Sequence, residues 1–141
     1  MDKKLLQHIG AALYVCEGTK ARRDYRRENG FIRSIELTNS DPKIISTFSN
    51  FLANVIKADW TRVRGQLFIY PDLEENKLIE FWSKKSNIPT SQFQKSILLK
   101  IKTGKFKANP NGTFKIRYSC KKDFIKLEKM IADMWRDAGA V

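Results

Sequence analysis

The chain has 141 residues, and its 27 Lys+Arg against 15 Asp+Glu give a formal net charge of +12. That length suits one domain spanning 1–141, and a hydrophobic fraction of 42% argues against global disorder. So large a positive excess favours a polyanionic partner, nucleic acid first, while the single histidine excludes histidine-cluster zinc sites and most histidine-based triads.

The spacing predicts a first helix from Lys3 to Cys16, with Leu5, Leu6, Ile9 and Leu13 on one face. A second face of small residues, Ala11, Ala12, Val15 and Cys16, would let another helix approach closely. Gly18 ends the helix, a place where freedom at positive φ is useful. Residues 19–30 follow, with Lys20, Arg22, Arg23, Arg26 and Arg27 around Tyr25. Set against a strand, this segment reads as a DNA-contacting ribbon; a solvated loop is the plain alternative.

Phe31 to Asn39 reads as a strand in which Ile35 and Leu37 alternate with Ser34, Glu36 and Thr38. Asp41-Pro42 opens a second helix as N-cap and first helical residue, and its apolar stripe runs from Ile44 to Ile56. Thr61 to Tyr70 is the next strand, with Val63, Leu67 and Ile69 facing inward against Arg62, Arg64, Gln66, Phe68 and Tyr70. A third helix over Leu73 to Lys85 carries Leu78, Ile79 and Trp82 inward. Phe93 to Ile101 reads as a strand, joined through an Asn111-Gly112 turn to Thr113–Ser119 in a hairpin. A last helix runs from Lys121 to Arg136.

The expected architecture is therefore α+β, with helices on one face of an antiparallel sheet whose other face is a basic saddle for a polyanion. A two-stranded ribbon fits the major groove and sets alternate side chains against base edges. Cys16 and Cys120 lack metal-ligand spacing and read as reduced thiols of an intracellular, cytoplasmic protein. No run approaches a membrane span, and the opening residues lack the apolar core of a signal peptide.

The segment Ile9 to Gly18, IGAALYVCEG, resembles the motif for which the LAGLIDADG homing endonucleases are named. Gly18 takes the terminal glycine, Glu17 the final acid, and Ala12 and Cys16 small-residue positions. Val15 replaces the motif's first acid, and Glu17 stands for an aspartate. The stretch Glu36 to Pro42 is similar to the family's strand-to-second-helix junction. The strand Arg62 to Tyr70 and the segment Phe81 to Lys95 resemble a compact, single-motif branch. The helix at Leu73 to Lys85 is extra to the shortest αββαββα plan.

The resemblance implies a site-specific double-stranded DNA endonuclease working as a homodimer on a palindromic or pseudo-palindromic site. Two motif helices would meet through Ala11, Ala12 and Cys16. The final acid of each, Glu17, would hold Mg2+ or Mn2+ at the scissile phosphates, with the Cys16 carbonyl completing the shell. Magnesium takes such oxygen ligands and keeps several waters, one of which it would activate. The alternative for Glu17 is an exposed helix-end acid, which the helix dipole mildly disfavours.

Asn39 matches a position that in some members orients the attacking water; a strand-end turn residue is the alternative. Lys95 is the candidate for the lysine supplying positive charge, with Lys100 and Lys115 comparable. DNA contacts are expected from Arg22, Arg23, Arg26, Arg27, Arg62, Arg64, Gln66, Lys115 and Arg117, since Arg and Gln pair with guanine and adenine edges while lysines meet phosphates. Tyr25, Phe68 and Tyr70 could stack or brace, and His8 reads as a packed or edge residue. Three other readings stay open: a regulator that kept the fold and lost the nuclease, an RNA-binding helper of intron splicing, and a basic protein that only bridges others.

Overall fold

Residues 2–20, 22–24, 30–100 and 109–140 are described in a computed structural model of the chain. Helix α1 spans Lys3–Glu17 and opens on Asp2, whose carboxylate accepts from the Lys4 amide at 3.1 Å. Its buried face is Leu6, Gly10, Ala11 and Tyr14, which displaces the expected Leu5-centred stripe. A Cβ on Gly10 would stand 2.1 Å from the Phe51 ring, so a hydrogen there lets the two helices touch. Leu5 is left 49% exposed.

Gly18 ends α1 for a reason other than the one expected. It sits at φ −80° and ψ 155°, open to any residue, but a Cβ would fall 2.3 Å from the Tyr14 ring. Space, not positive φ, selects glycine there.

Strands β1 (Arg22–Asp24) and β2 (Gly30–Ile32) pair antiparallel as the expected ribbon. The strand expected over Phe31 to Asn39 breaks at Arg33 and resumes as β3 (Ser34–Asn39). Helix α2 (Pro42–Phe51) begins with Asp41 accepting from the Lys43 amide at 2.9 Å. A π-helical turn, Leu52–Ile56, continues it and ends on Lys57 at φ 60°. The Lys126 ammonium, from the last helix, bonds the Ile56 carbonyl at 2.9 Å. A short 3-10 turn, Trp60–Arg62, feeds β4 (Val63–Ile69).

Helix α3 (Glu75–Ser86) then closes on Asn87 in the left-handed region, followed by β5 (Ile97–Leu98), β6 (Thr113–Ser119) and α4 (Lys121–Asp137). Gly112, at φ 66°, makes the turn into β6 that Asn111-Gly112 announces.

The main sheet runs β3-β6-β4-β5, with β6 antiparallel to both neighbours. Two expectations fail at its far edge. Phe93 to Ile101 is not one strand, and it does not form a hairpin with Thr113–Ser119. Instead β5 lies parallel to β4, pairing Phe68 with Ile97 and Ile69 with Leu98, which makes the sheet mixed rather than antiparallel. The helix between β4 and β5 explains this: a helical crossover returns the chain to its starting end, so the next strand runs parallel. Ile97 and Leu98 are exposed, whereas Phe93, before them, packs on the core against Phe114.

Ile35, Leu37, Val63, Leu67, Ile69, Phe114, Ile116 and Tyr118 form the sheet's inner face and join helical side chains in one core. Trp82 of α3 is fully buried and stacks on Phe114, centroids 5.2 Å apart and planes 6° apart. Its indole N–H donates to the Asn111 carbonyl at 2.7 Å, tying α3 to the turn before β6. Among the described residues no helix is long and apolar enough to cross a membrane. Trp82→Ala should cost about 3–5 kcal/mol, by loss of buried surface and the cavity left behind. A matching fall in urea midpoint would support that packing; a loss below about 1 kcal/mol would contradict it.

Candidate nucleic-acid interface

Alternation along β3, β6 and β4 sends polar side chains to the face away from the helices. Register sets them in cross-strand rows: Glu36, Arg117 and Arg64 in one, Thr38, Lys115 and Gln66 in the next. Four of the expected DNA contacts, Arg64, Gln66, Lys115 and Arg117, therefore share one surface. Spaced by the sheet's roughly 4.8 Å between strands, such rows match the scale of base edges in a groove.

Each of these side chains already has a protein partner. Glu36, only 5% exposed, takes Arg117 at 3.0 Å and Lys115 at 3.8 Å. Arg64 bonds the carbonyls of Thr61 at 2.7 Å and Val63 at 3.0 Å, and the Gln66 amide donates to Lys95 O at 2.9 Å. Arg62 leaves the row: its guanidinium reaches Ser119 O and lies 6.0 Å from the Tyr118 ring centroid, bracing the end of β6. Phe68 faces the row after Gln66, opposite Thr113. Arg22 and Arg23 fall on β1, while Tyr25, Arg26 and Arg27 lie outside the described residues.

The end of α1 meets the edge of this sheet. Gly18 bridges to Leu37 of β3, and the Thr19 amide donates to Glu36 O at 2.9 Å. Tyr14 donates its hydroxyl proton to Thr19 O and lies 3.4 Å from both Ser34 O and the Glu36 amide. Lys20 turns back from the ribbon. Its ammonium bonds the carbonyls of Tyr14 at 2.8 Å, Val15 at 2.9 Å and Gly18 at 3.1 Å, adding to the Gly18 amide already on Tyr14 O and taking up the Val15 acceptor in the last turn of the helix. Neither Lys20 nor Glu36 stood out in the sequence as a structural tie, because only the fold brings their partners near.

Glu17 and Cys16 stand exposed at this helix end, and the Cys16 carbonyl is not one of those Lys20 takes. A carboxylate and a carbonyl are suitable oxygen donors for Mg2+, but among the described residues Glu17 is the one exposed acid on this end of α1. Among the described residues no three His, Cys, Asp or Glu side chains gather to hold a metal. A cation at Glu17 would therefore need a second chain or phosphate oxygens.

Asn39 lies on β3 two residues beyond Leu37, and its side-chain oxygen accepts from the Asp41 amide at 2.9 Å, building the turn into α2. Lys95 is exposed beside β4, on the opposite edge of the sheet from Gly18. Four strand spacings separate the two edges, about 19 Å. One chain thus keeps Lys95 apart from Glu17; Lys100 follows β5 at the same edge, whereas Lys115 is on β6, next to β3. Of the small residues, Ala12 and Cys16 are exposed, but Ala11 is fully buried within its own chain and cannot serve a seam. His8 stands 3.5 Å from Asp137 of α4, an edge position.

Comparison of the chain with known protein families, with curated proteins and with solved structures finds no match.

Burial pushes the Tyr14 phenol from 10.0 up to about 12, with help from the Glu36 and Glu128 carboxylates. The unfolded phenol ionises first, so the stability this site provides is complete below pH 10 and is lost as pH climbs toward 12. Urea midpoints should fall across that window, and less steeply in Tyr14→Phe. Equal slopes in the two proteins would contradict the assignment.

Proposed function

We propose that this chain is a homodimeric, site-specific DNA-binding protein that cuts duplex DNA with divalent metal held by Glu17. The observation that carries the reading is the meeting of an exposed helix-end carboxylate with the edge of a sheet whose outer face displays Arg64, Gln66, Lys115 and Arg117. Binding chemistry and a metal-ligating acid then belong to one surface.

Two further features support it. Setting α3 and β5 aside, and counting β2 with β3 as one bent strand, leaves helix, two strands, helix, two strands, helix. That is the αββαββα order implied by the resemblance to LAGLIDADG endonucleases. Secondly, Leu5, Ile9, Ala12 and Cys16 fall within about 60° of one another around α1. None of the four is buried in the chain, so an apolar, narrow stripe remains for a second copy of the same helix. Pairing along it would bring the two Glu17 side chains toward one another.

In this mechanism the outer face positions the duplex, with Arg64 and Gln66 reading base edges and Lys115 meeting phosphate. Glu17 from each chain, with the Cys16 carbonyl, would hold the cation. Bound there, Mg2+ or Mn2+ supplies an activated water and stabilises charge on the leaving oxygen. Lys20 keeps the α1 end in place and adds a positive charge beside the phosphates. Glu36 holds Lys115 and Arg117 in register, and DNA must compete with it for them.

A second reading, a regulator that binds without cutting, is favoured by Glu17 standing alone among the described residues and by Lys20. An ammonium on two carbonyls of α1 and that of Gly18 already provides a cation where catalysis would place a metal.

Incubation with a randomised duplex library and Mg2+ should enrich cuts at one sequence. Glu17→Gln should lower cleavage at least 100-fold, about 2.7 kcal/mol or more of barrier, while leaving binding unchanged. Selective binding with no cutting in either protein would remove the nuclease and leave the regulator. No sequence preference in binding would contradict both.

A further inference from the structure

The helix layer carries a second basic surface that the sheet face does not account for. Two adjoining depressions lie along α2 and α3, of about 380 and 260 Å³, sharing Ser46 and Lys85. Lys43, Lys84 and Lys85 line them together with serine, threonine and asparagine, and no carboxylate is among the lining residues. Among the described residues none of these lysines forms a salt bridge; Lys85 only approaches the Phe81 ring, at 5.7 Å from its centroid. The acid nearest Lys43 in sequence, Asp41, caps α2, and Glu80, one turn before Lys84 on α3, forms no salt bridge among the described residues.

The floor of the groove is fixed. The buried Ser49 hydroxyl donates to Ser86 O across the two helices. Ser86 in turn donates to Trp82 O at 2.7 Å and accepts from the Ile88 amide at 3.2 Å. Asn87, at φ 58°, ends α3 at the groove's rim. The hydroxyls of Ser46 and Thr47 have no hydrogen-bond partner among the described residues, so both can turn to a ligand.

Shape narrows the ligand class. From Lys43 to Asn54 the groove follows α2 and the π-helical turn after it for about 16 Å, at roughly 1.5 Å per residue. It is open, and it lacks the apolar slot that a base or sugar ring of a small nucleotide would fill. Cations and neutral donors spread along an open track suit a row of phosphates.

We propose that the α2–α3 groove is a second nucleic-acid contact, gripping the phosphodiester backbone of a segment separate from that on the sheet. Choosing nucleic acid rests on the DNA-binding reading above, although the groove lies on the helix side of the sheet. One chain could then hold two backbone segments, or the two flanks of a bent one, without base readout at the second.

The test follows backbone amides by ¹H–¹⁵N NMR during titration with a short duplex, and separately with inorganic phosphate. Three proteins are compared: the natural chain, K43Q/K84Q/K85Q, and a sheet-face variant E36Q/R64Q/K115Q/R117Q. In the last, E36Q avoids leaving a buried carboxylate unpaired. The duplex should shift amides of Lys43 to Asn50 and Lys84 to Asn87 in the natural chain and the sheet-face variant, and not in K43Q/K84Q/K85Q. The groove variant should also lower the slope of log affinity against log salt by about 0.9 per lysine lost. Shifts confined to the sheet face would overturn this proposal and leave the proposed function standing. Shifts confined to the groove would uphold it and refute the sheet as the interface. Groove shifts with phosphate but none with duplex would mean a small-anion site and overturn it too.

Discussion

The architecture depends on how the end of α1 is fastened to β3. Tyr14 reaches out of the helix to Thr19 O, and Gly18 yields the space its ring requires. Lys20 folds back onto three carbonyls, neutralising the negative end of the helix dipole. The Gly18–Leu37 bridge then stitches the junction to the sheet. Because of this fastening, Glu17 projects at the sheet edge while its own helix stays buried along Leu6, Gly10 and Ala11.

Electrostatics on the outer face follow a similar economy. A free cluster of Lys115, Arg117 and Arg64 would repel itself in the unliganded protein. Glu36 offsets two of those charges from a nearly buried position, and backbone carbonyls occupy the third. A face built this way is ordered before any partner arrives, but a polyanion must displace protein contacts to gain the cations. Charged contacts made by exchange in this manner discriminate between partners more than they add affinity. The helix-side groove is different in kind, since its lysines have no such partner.

Much of the fold was legible in the residues themselves. Asp41-Pro42, the period-two alternation of Val63 to Ile69, and the Asn111-Gly112 turn are local signals, and local chemistry decides them. What stayed hidden depends on distant partners. Ile97 and Leu98 lie in an apolar run that reads as a hairpin strand, yet the α3 crossover places them parallel to β4 on an exposed edge. Ala11 looks like part of a small-residue seam, but the turn of α1 carries it inward. Nothing near Glu36 in sequence reveals that Arg117 and Lys115 will stand opposite it. Likewise Lys20 reads as one more ribbon cation until the helix end is folded against it. At the candidate site, the exposed place of Glu17 at the end of α1 was legible from the glycine that follows it, whereas the separation of Lys95 from it needed the strand order.

The account turns on α1 joining two copies through Leu5, Ile9, Ala12 and Cys16, because that pairing brings a second Glu17 to the site. Sedimentation velocity of the natural chain and of Ala12→Arg tests it most directly. Ala12 is exposed, so arginine there should leave the fold, and its circular dichroism, unchanged. A two-chain species at micromolar concentration that becomes one chain in Ala12→Arg is the predicted result. A single chain in both proteins, or a dimer indifferent to the substitution, would contradict the pairing and with it the shared metal site.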